Sequence, residues 1–151
     1  MKTGKNLGIS PPQLYKIFIG IMLLSMVVFK ERSIHYPYNL IGVILFIAGV
    51  LIALAAKRLF KKTNTPISPD AKPEKLHTKG IFSFTRNPMY LGIVIGLIGI
   101  AISSGFLVNL FFPFIYFIIL NIYFIRKEEA NLENEFGNKY NEYKKETRRW
   151  L

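Results

Sequence analysis

Apolar residues along this chain fall into four runs, separated by charged or proline-bearing stretches. The longest uncharged stretch, 87–125, holds 39 consecutive residues with no Asp, Glu, Lys or Arg. A soluble domain of this size has no core large enough to bury it, so it reads as a pair of membrane-spanning helices. Ser103-Ser104-Gly105 offers the break near its middle, which predicts helices over about 88–104 and 107–125. Upstream, a run over about 38–56 ends at Lys57-Arg58, and its Gly42 and Gly49 lie on one helical face, where they would allow close helix approach. The first run, 17–29, has only 13 residues, roughly 20 Å of helix against a hydrocarbon core of roughly 30 Å. Lys16 can snorkel and Pro11-Pro12 sits where a helix would begin, so a span over about 13–29 is expected. A cleaved signal peptide is the rival reading, but no small-x-small site follows; the next residues are Lys30-Glu31-Arg32. Beyond Arg126 the pattern turns charged and amphipathic. The predicted fold is therefore an all-α integral membrane protein, a single domain over 1–151, with about four transmembrane helices, a cytoplasmic loop and a C-terminal amphipathic helix.

Charge then sets orientation. The chain carries a formal +11, and hydrophobic residues make up 51% of it. Nucleic acid is the reflex partner for such basicity, yet Lys and Arg beside apolar spans act as orientation signals and headgroup contacts. With four spans, the N-terminus, the 57–87 loop and the tail after 125 share one side, and 17 of the 20 basic residues lie there. The positive-inside rule makes that side cytoplasmic, with both termini inside. The 57–87 loop is punctuated by Pro66, Pro69 and Pro73, which argues against a long helix within it. Cysteine is absent and histidine occurs only at His35 and His77. No disulfide, cysteine nucleophile or metal centre is expected.

Two segments bring polar chemistry to that face. In the first, Asn87 and Pro88 open an apolar helix; Pro88 suits the first turn, Asn87 can cap its N–H groups, and Arg86 adds positive charge. A helix N-terminus with an arginine favours a carboxylate or phosphate. A simple cap at the membrane border, with Arg86 on lipid phosphate, is the plainer explanation. In the second, Glu128 and Glu129 stand just past the apolar run, with Leu132 and Phe136 at helical spacing below Glu128. Neighbours on a helix point about 100° apart, so one carboxylate would face a pocket while the other meets solvent or Arg126. Taken alone, an ordinary solvated helix explains this segment as well.

Together the two segments resemble a known family. The stretch Leu76-x-x-x-Gly-x-Phe-x-x-x-Arg-Asn-Pro-x-Tyr-Leu-Gly92 is similar to the first motif of the isoprenylcysteine carboxyl methyltransferase and phospholipid methyltransferase superfamily. The tail from Glu128-Glu129 through Leu132, Phe136-Gly137, Tyr140 and Tyr143 to Arg148-Arg149-Trp150 is similar to its second motif. Two helices separate the motifs, as in that family. The resemblance covers the chain from Thr65 onward.

That resemblance implies a membrane-embedded methyltransferase using S-adenosylmethionine, with the cofactor pocket open to the cytoplasm and a lipophilic acceptor entering from the bilayer. Arg86 and the amides near Asn87 and Pro88 would hold the cofactor carboxylate. Glu128 or Glu129 would take its ammonium or ribose hydroxyls, and Tyr90, Leu76 and Gly80 would pack around the adenosine. Arg86 and Glu128 are the candidate catalytic residues, acting by positioning. Asn87 stands where eukaryotic carboxyl methyltransferases usually have histidine, and Ile81 where proline is usual; this pattern is similar to bacterial members and implies an inner-membrane location. The acceptor stays open among a prenylcysteine-like carboxylate, a lipid amine and a small thiol. Two other functions fit parts of the pattern: a non-catalytic membrane scaffold of the same fold, and a NADPH-dependent intramembrane reductase.

Overall fold

The computed structural model describes residues 8–63 and 73–151. Lys2 and Lys5, and Pro66, Pro69 and Lys72 of the basic loop, lie outside the described residues. The described chain is helical, with no strand. Helix α1 spans Pro11–Val28, α2 Asn39–Lys62, α3 Pro88–Ser104, α4 Leu107–Phe136 and α5 Asn138–Glu146. A 3-10 turn, Gly80–Ser83, precedes α3.

Helices α1, α2 and α4 are each long and apolar enough to cross a membrane. Helix α3 is apolar but shorter, at 17 residues, or about 26 Å at 1.5 Å per residue. Its start at Pro88 and end at Ser104 match the expected boundaries, and Gly105 closes it with a φ of 83° that a side chain would strain. Helix α1 begins two residues earlier than expected, where the Gln13 side chain accepts hydrogen bonds from the Ser10 N–H and hydroxyl. Helix α2 runs past the expected end at 56 to Lys62, because Lys57, Arg58, Lys61 and Lys62 are good helix formers and sit near its negative end.

The largest departure from expectation lies in the fourth span. It does not stop at 125: α4 is continuous for 30 residues, about 45 Å. Within it, Leu120–Ile125 is π-helical and Arg126–Phe136 returns to α geometry, carrying the charged residues beyond the apolar part. The expected single amphipathic tail is thus the projecting end of α4 plus the separate helix α5, divided at Gly137.

Packing explains the small residues. Helices α2 and α3 press backbone to backbone: a Cβ on Gly49 would fall 2.5 Å from Gly92 O and Gly96 N, and one on Gly99 would overlap the Phe46 and Gly42 backbones. This is the close approach expected of Gly42 and Gly49. Helix α1 packs on α3 and α4 through Leu14, Phe18 and Met22, which meet Leu97, Ala101 and Tyr116 in the core. At one end of the bundle Asn109 is buried; its Nδ2 donates to Ser104 Oγ at 2.9 Å and its Oδ1 accepts from Ser25 Oγ at 2.5 Å. That network ties α1, α3 and α4. The first residue of α1 is tied to the core, where Tyr116 donates to Pro11 O at 3.1 Å.

Candidate functional site

At the end where α3 begins and α4 projects, the last residues of the chain fold back across the α3 N-terminus. The Arg86 N–H donates to Arg148 O at 3.0 Å. Thr85 Oγ1 and Asn87 Nδ2 both donate to Arg149 O, at 3.1 and 3.0 Å. Trp150 donates from Nε1 to Asn121 Oδ1 at 3.1 Å and lies 4.7 Å from the Phe117 ring. The C-terminal strap therefore joins the first motif to the π-helical stretch of α4. Asn87 does not cap α3 with its side chain as expected, because its carboxamide is drawn to the strap carbonyl.

Glu129 is the hub beneath the strap. Its Oε1 accepts from Arg86 Nη2 at 2.7 Å and from Arg149 Nε at 3.1 Å, and Arg149 Nη2 donates to Oε2. Arg86 also donates through Nη1 to Thr147 O at 2.7 Å. The Arg86 and Glu129 side chains are only 11% and 13% exposed, Arg149 37%. Burial opposes ionisation of Glu129, but the hydrogen bonds and charges of Arg149 and Arg86 outweigh it and hold the carboxyl below its usual range.

Glu128 occupies a different environment one residue away. It stands beyond the apolar part of α4, yet its Oε2 is buried with no hydrogen-bond partner among the described residues. Burial pushes its carboxyl up to about 7; a hydrogen bond from the Tyr90 hydroxyl pulls the other way, and the Glu129 charge adds to the rise. Arg86 Nε and the Tyr140 hydroxyl are buried in the same cluster without a well-aligned partner, and the hydroxyl leans on the Arg86 guanidinium by hydrogen bond as well as by charge. Arg86 charge acts on Tyr140, and so do both glutamates. Buried polar groups are normally satisfied, so Glu128 Oε2, left without a partner beside the Arg86–Tyr140 pair, marks a place built for a polar ligand.

The structure thus gathers Arg86, Asn87, Pro88, Tyr90, Glu128 and Glu129 at one end of the bundle. Leu76 and Gly80 line a neighbouring cavity of about 620 Å³, between Ala55, Leu59 and Thr63 of α2 and the 75–81 segment. None of the six clustered residues lines that cavity; the 3-10 turn contributes Gly80 and Ile81 to its lining, and the turn's Phe82 carbonyl is held by the Tyr143 hydroxyl at 2.5 Å. His77 packs against Phe60 and Phe82, as a surface residue turned inward. Among the described residues, no group of acidic, histidine or cysteine side chains is placed to hold a metal. Sequence reasoning missed Tyr140 and Arg149 as site residues. Both stood inside the quoted tail motif, but nothing local distinguishes them from other tail cations and aromatics.

Residues 38–139 match the phospholipid methyltransferase family over more than half of the chain. The chain belongs to that family. The matched region contains the first motif, both glutamates and the helices between them, while Tyr140 and the strap bearing Arg149 lie just beyond it. The chain is also similar to an uncharacterised protein of Haemophilus influenzae, 33% identical over 63 residues, which cover 42% of this chain and the whole of that protein. No solved structure matches the chain. Family and helices together make this a membrane methyltransferase-family protein with apolar helices suited to a lipid environment.

Proposed function

We propose that this chain is an S-adenosylmethionine-dependent methyltransferase of a bacterial inner membrane, both termini cytoplasmic, acting on a lipophilic acceptor. The observation that carries this reading is Glu128 Oε2, buried without a hydrogen-bond partner among the described residues, in one cluster with the Arg86 guanidinium and the Tyr140 hydroxyl. A cation, an acid and a hydroxyl within one cluster suit a zwitterionic ligand, and the amino-acid end of the cofactor is one.

Arg86, with Tyr140 beside it, would hold the carboxylate at the open, positively biased start of α3, where Asn87 and Pro88 form the rim. Glu128, oriented by Tyr90, would take the ammonium or the ribose hydroxyls. Glu129 holds Arg86 in place. The neighbouring cavity, with Leu76 and Gly80 in its lining, has the size of a small-ligand site and would receive the adenosine. The bound cofactor supplies a methyl group carried on a sulfonium. What the chain itself contributes is alignment and exclusion of water, which an in-line displacement needs more than a strong acid or base. The acceptor would be a prenylcysteine-like carboxylate, a lipid amine or a small thiol.

The test is transfer of a labelled methyl group from S-adenosylmethionine into the organic extract of membranes that overproduce the chain. Label above the level given by Glu128→Gln membranes is expected. Equal label from wild-type and variant membranes would refute the reading.

A further inference from the structure

Two guanidiniums share one carboxylate at this site. Arg86 and Arg149 both donate to Glu129, so the three side chains carry a net single positive charge with Glu129 ionised. Had the chain only Arg86 and Glu129, the pair would be neutral and Arg86 would offer little attraction to a second anion. The geometry points to Arg149 as a positioning residue that occupies Glu129 from the far side, so that Arg86 keeps its charge and its Nε for the carboxylate of a ligand. This rests on the cofactor reading above and extends it to a residue outside the first motif.

The strap explains how a residue at the chain end does this reliably. The Arg149 carbonyl is held by Thr85 and Asn87, the Arg148 carbonyl by the Arg86 N–H, and Trp150 by Asn121. Its guanidinium is therefore delivered by a fixed backbone. Arg149 meets Glu129 through two nitrogens, Nε and Nη2, the forked contact a lysine cannot make. Arg86 Nε, meanwhile, is buried and makes no well-aligned hydrogen bond among the described residues, with the Tyr140 hydroxyl as the guanidinium's neighbour. A surface ion pair would leave no such donor behind it.

The test uses the full-length chain in detergent and two ligands, S-adenosylmethionine and its decarboxylated form, which keeps the ammonium and adenosine but lacks the carboxylate. Wild type, Arg149→Gln and Arg149→Lys are titrated by calorimetry. Arg149→Gln is expected to lose about tenfold in affinity for S-adenosylmethionine, about 1.4 kcal/mol, and to be unchanged for the decarboxylated form. Arg149→Lys should recover most of the loss, since it restores charge without the fork. Trp150 emission, from the chain's single tryptophan, should be unchanged in both variants, showing that the strap stays seated. Equal losses for both ligands would make Arg149 merely structural and overturn the inference, as would no loss for either. A wild-type chain that binds neither ligand would overturn the cofactor reading as well, which separates the two failures.

Discussion

Glu129→Gln keeps the shape of the hub and removes its charge, so its cost can be worked from the contacts. Three hydrogen bonds end on the carboxylate: one from Arg86 and two from Arg149. The Arg86 bond is nearly buried, and such a charged hydrogen bond is worth about 1.5–3 kcal/mol. Arg149 is 37% exposed, so solvent screens its share to about 0.5–1 kcal/mol. Glutamine retains one acceptor, but its amide NH₂ would face a guanidinium. Arg86 keeps its bond to Thr147 O, which limits the damage. The expected loss is about 3 kcal/mol, between the neutral-pair and the fully orphaned limits. Unfolding of the purified protein by a denaturing detergent, followed by helical circular dichroism, would read it. Trp150 emission should shift red earlier in the titration than the helical signal, because the strap loses its anchor before the bundle opens. A loss below about 1 kcal/mol with coincident transitions would refute the claim that Glu129 organises this end.

Three further outcomes follow from the packing and the charges. Asn109→Leu removes both side-chain bonds that tie α1, α3 and α4; at roughly 0.6 kcal/mol per interhelical bond, and more at the upper end, the loss should be about 1–2 kcal/mol in the same unfolding assay. No change would mean that apolar packing alone holds that end. Gly99→Val puts a side chain into the Phe46 and Gly42 backbones and should abolish a monodisperse peak in size-exclusion chromatography, while Gly20→Val, whose Cβ meets nothing within 4 Å, behaves as wild type. Cofactor affinity should rise as pH increases through about 7, since Glu128 becomes ionised there and only the ionised form attracts an ammonium. Glu128→Gln should flatten that pH dependence; a slope that persists in the variant assigns it to another group.

Much of the helical framework was legible because membrane helices advertise themselves by length and lack of charge. The break at Ser103-Ser104-Gly105 and the close approach of α2 to α3 through Gly42 and Gly49 were both readable for local reasons. The end of α4 was not. A change from apolar to charged residues marks the edge of the bilayer without ending a helix, and 126–136 simply continues the ladder after its π-helical stretch. The site divides in the same way. Arg86, Asn87, Pro88, Tyr90 and the two glutamates are named by their motifs. Which glutamate meets the arginines depends on helical phase, set partly by a π stretch invisible in sequence. Arg149 reaches Glu129 across 20 residues and the turn at Gly137, a contact that no periodicity encodes.

The most direct test of the central claim, that the buried cluster is a cofactor site, is calorimetric titration of the detergent-purified chain with S-adenosylhomocysteine, alongside Arg86→Ala and Glu128→Gln. Saturable one-to-one binding by wild type, weakened about tenfold or more in each variant, is the expected result. A stable, helical wild-type protein that gives no binding heat, or variants that bind as tightly as wild type, would contradict it.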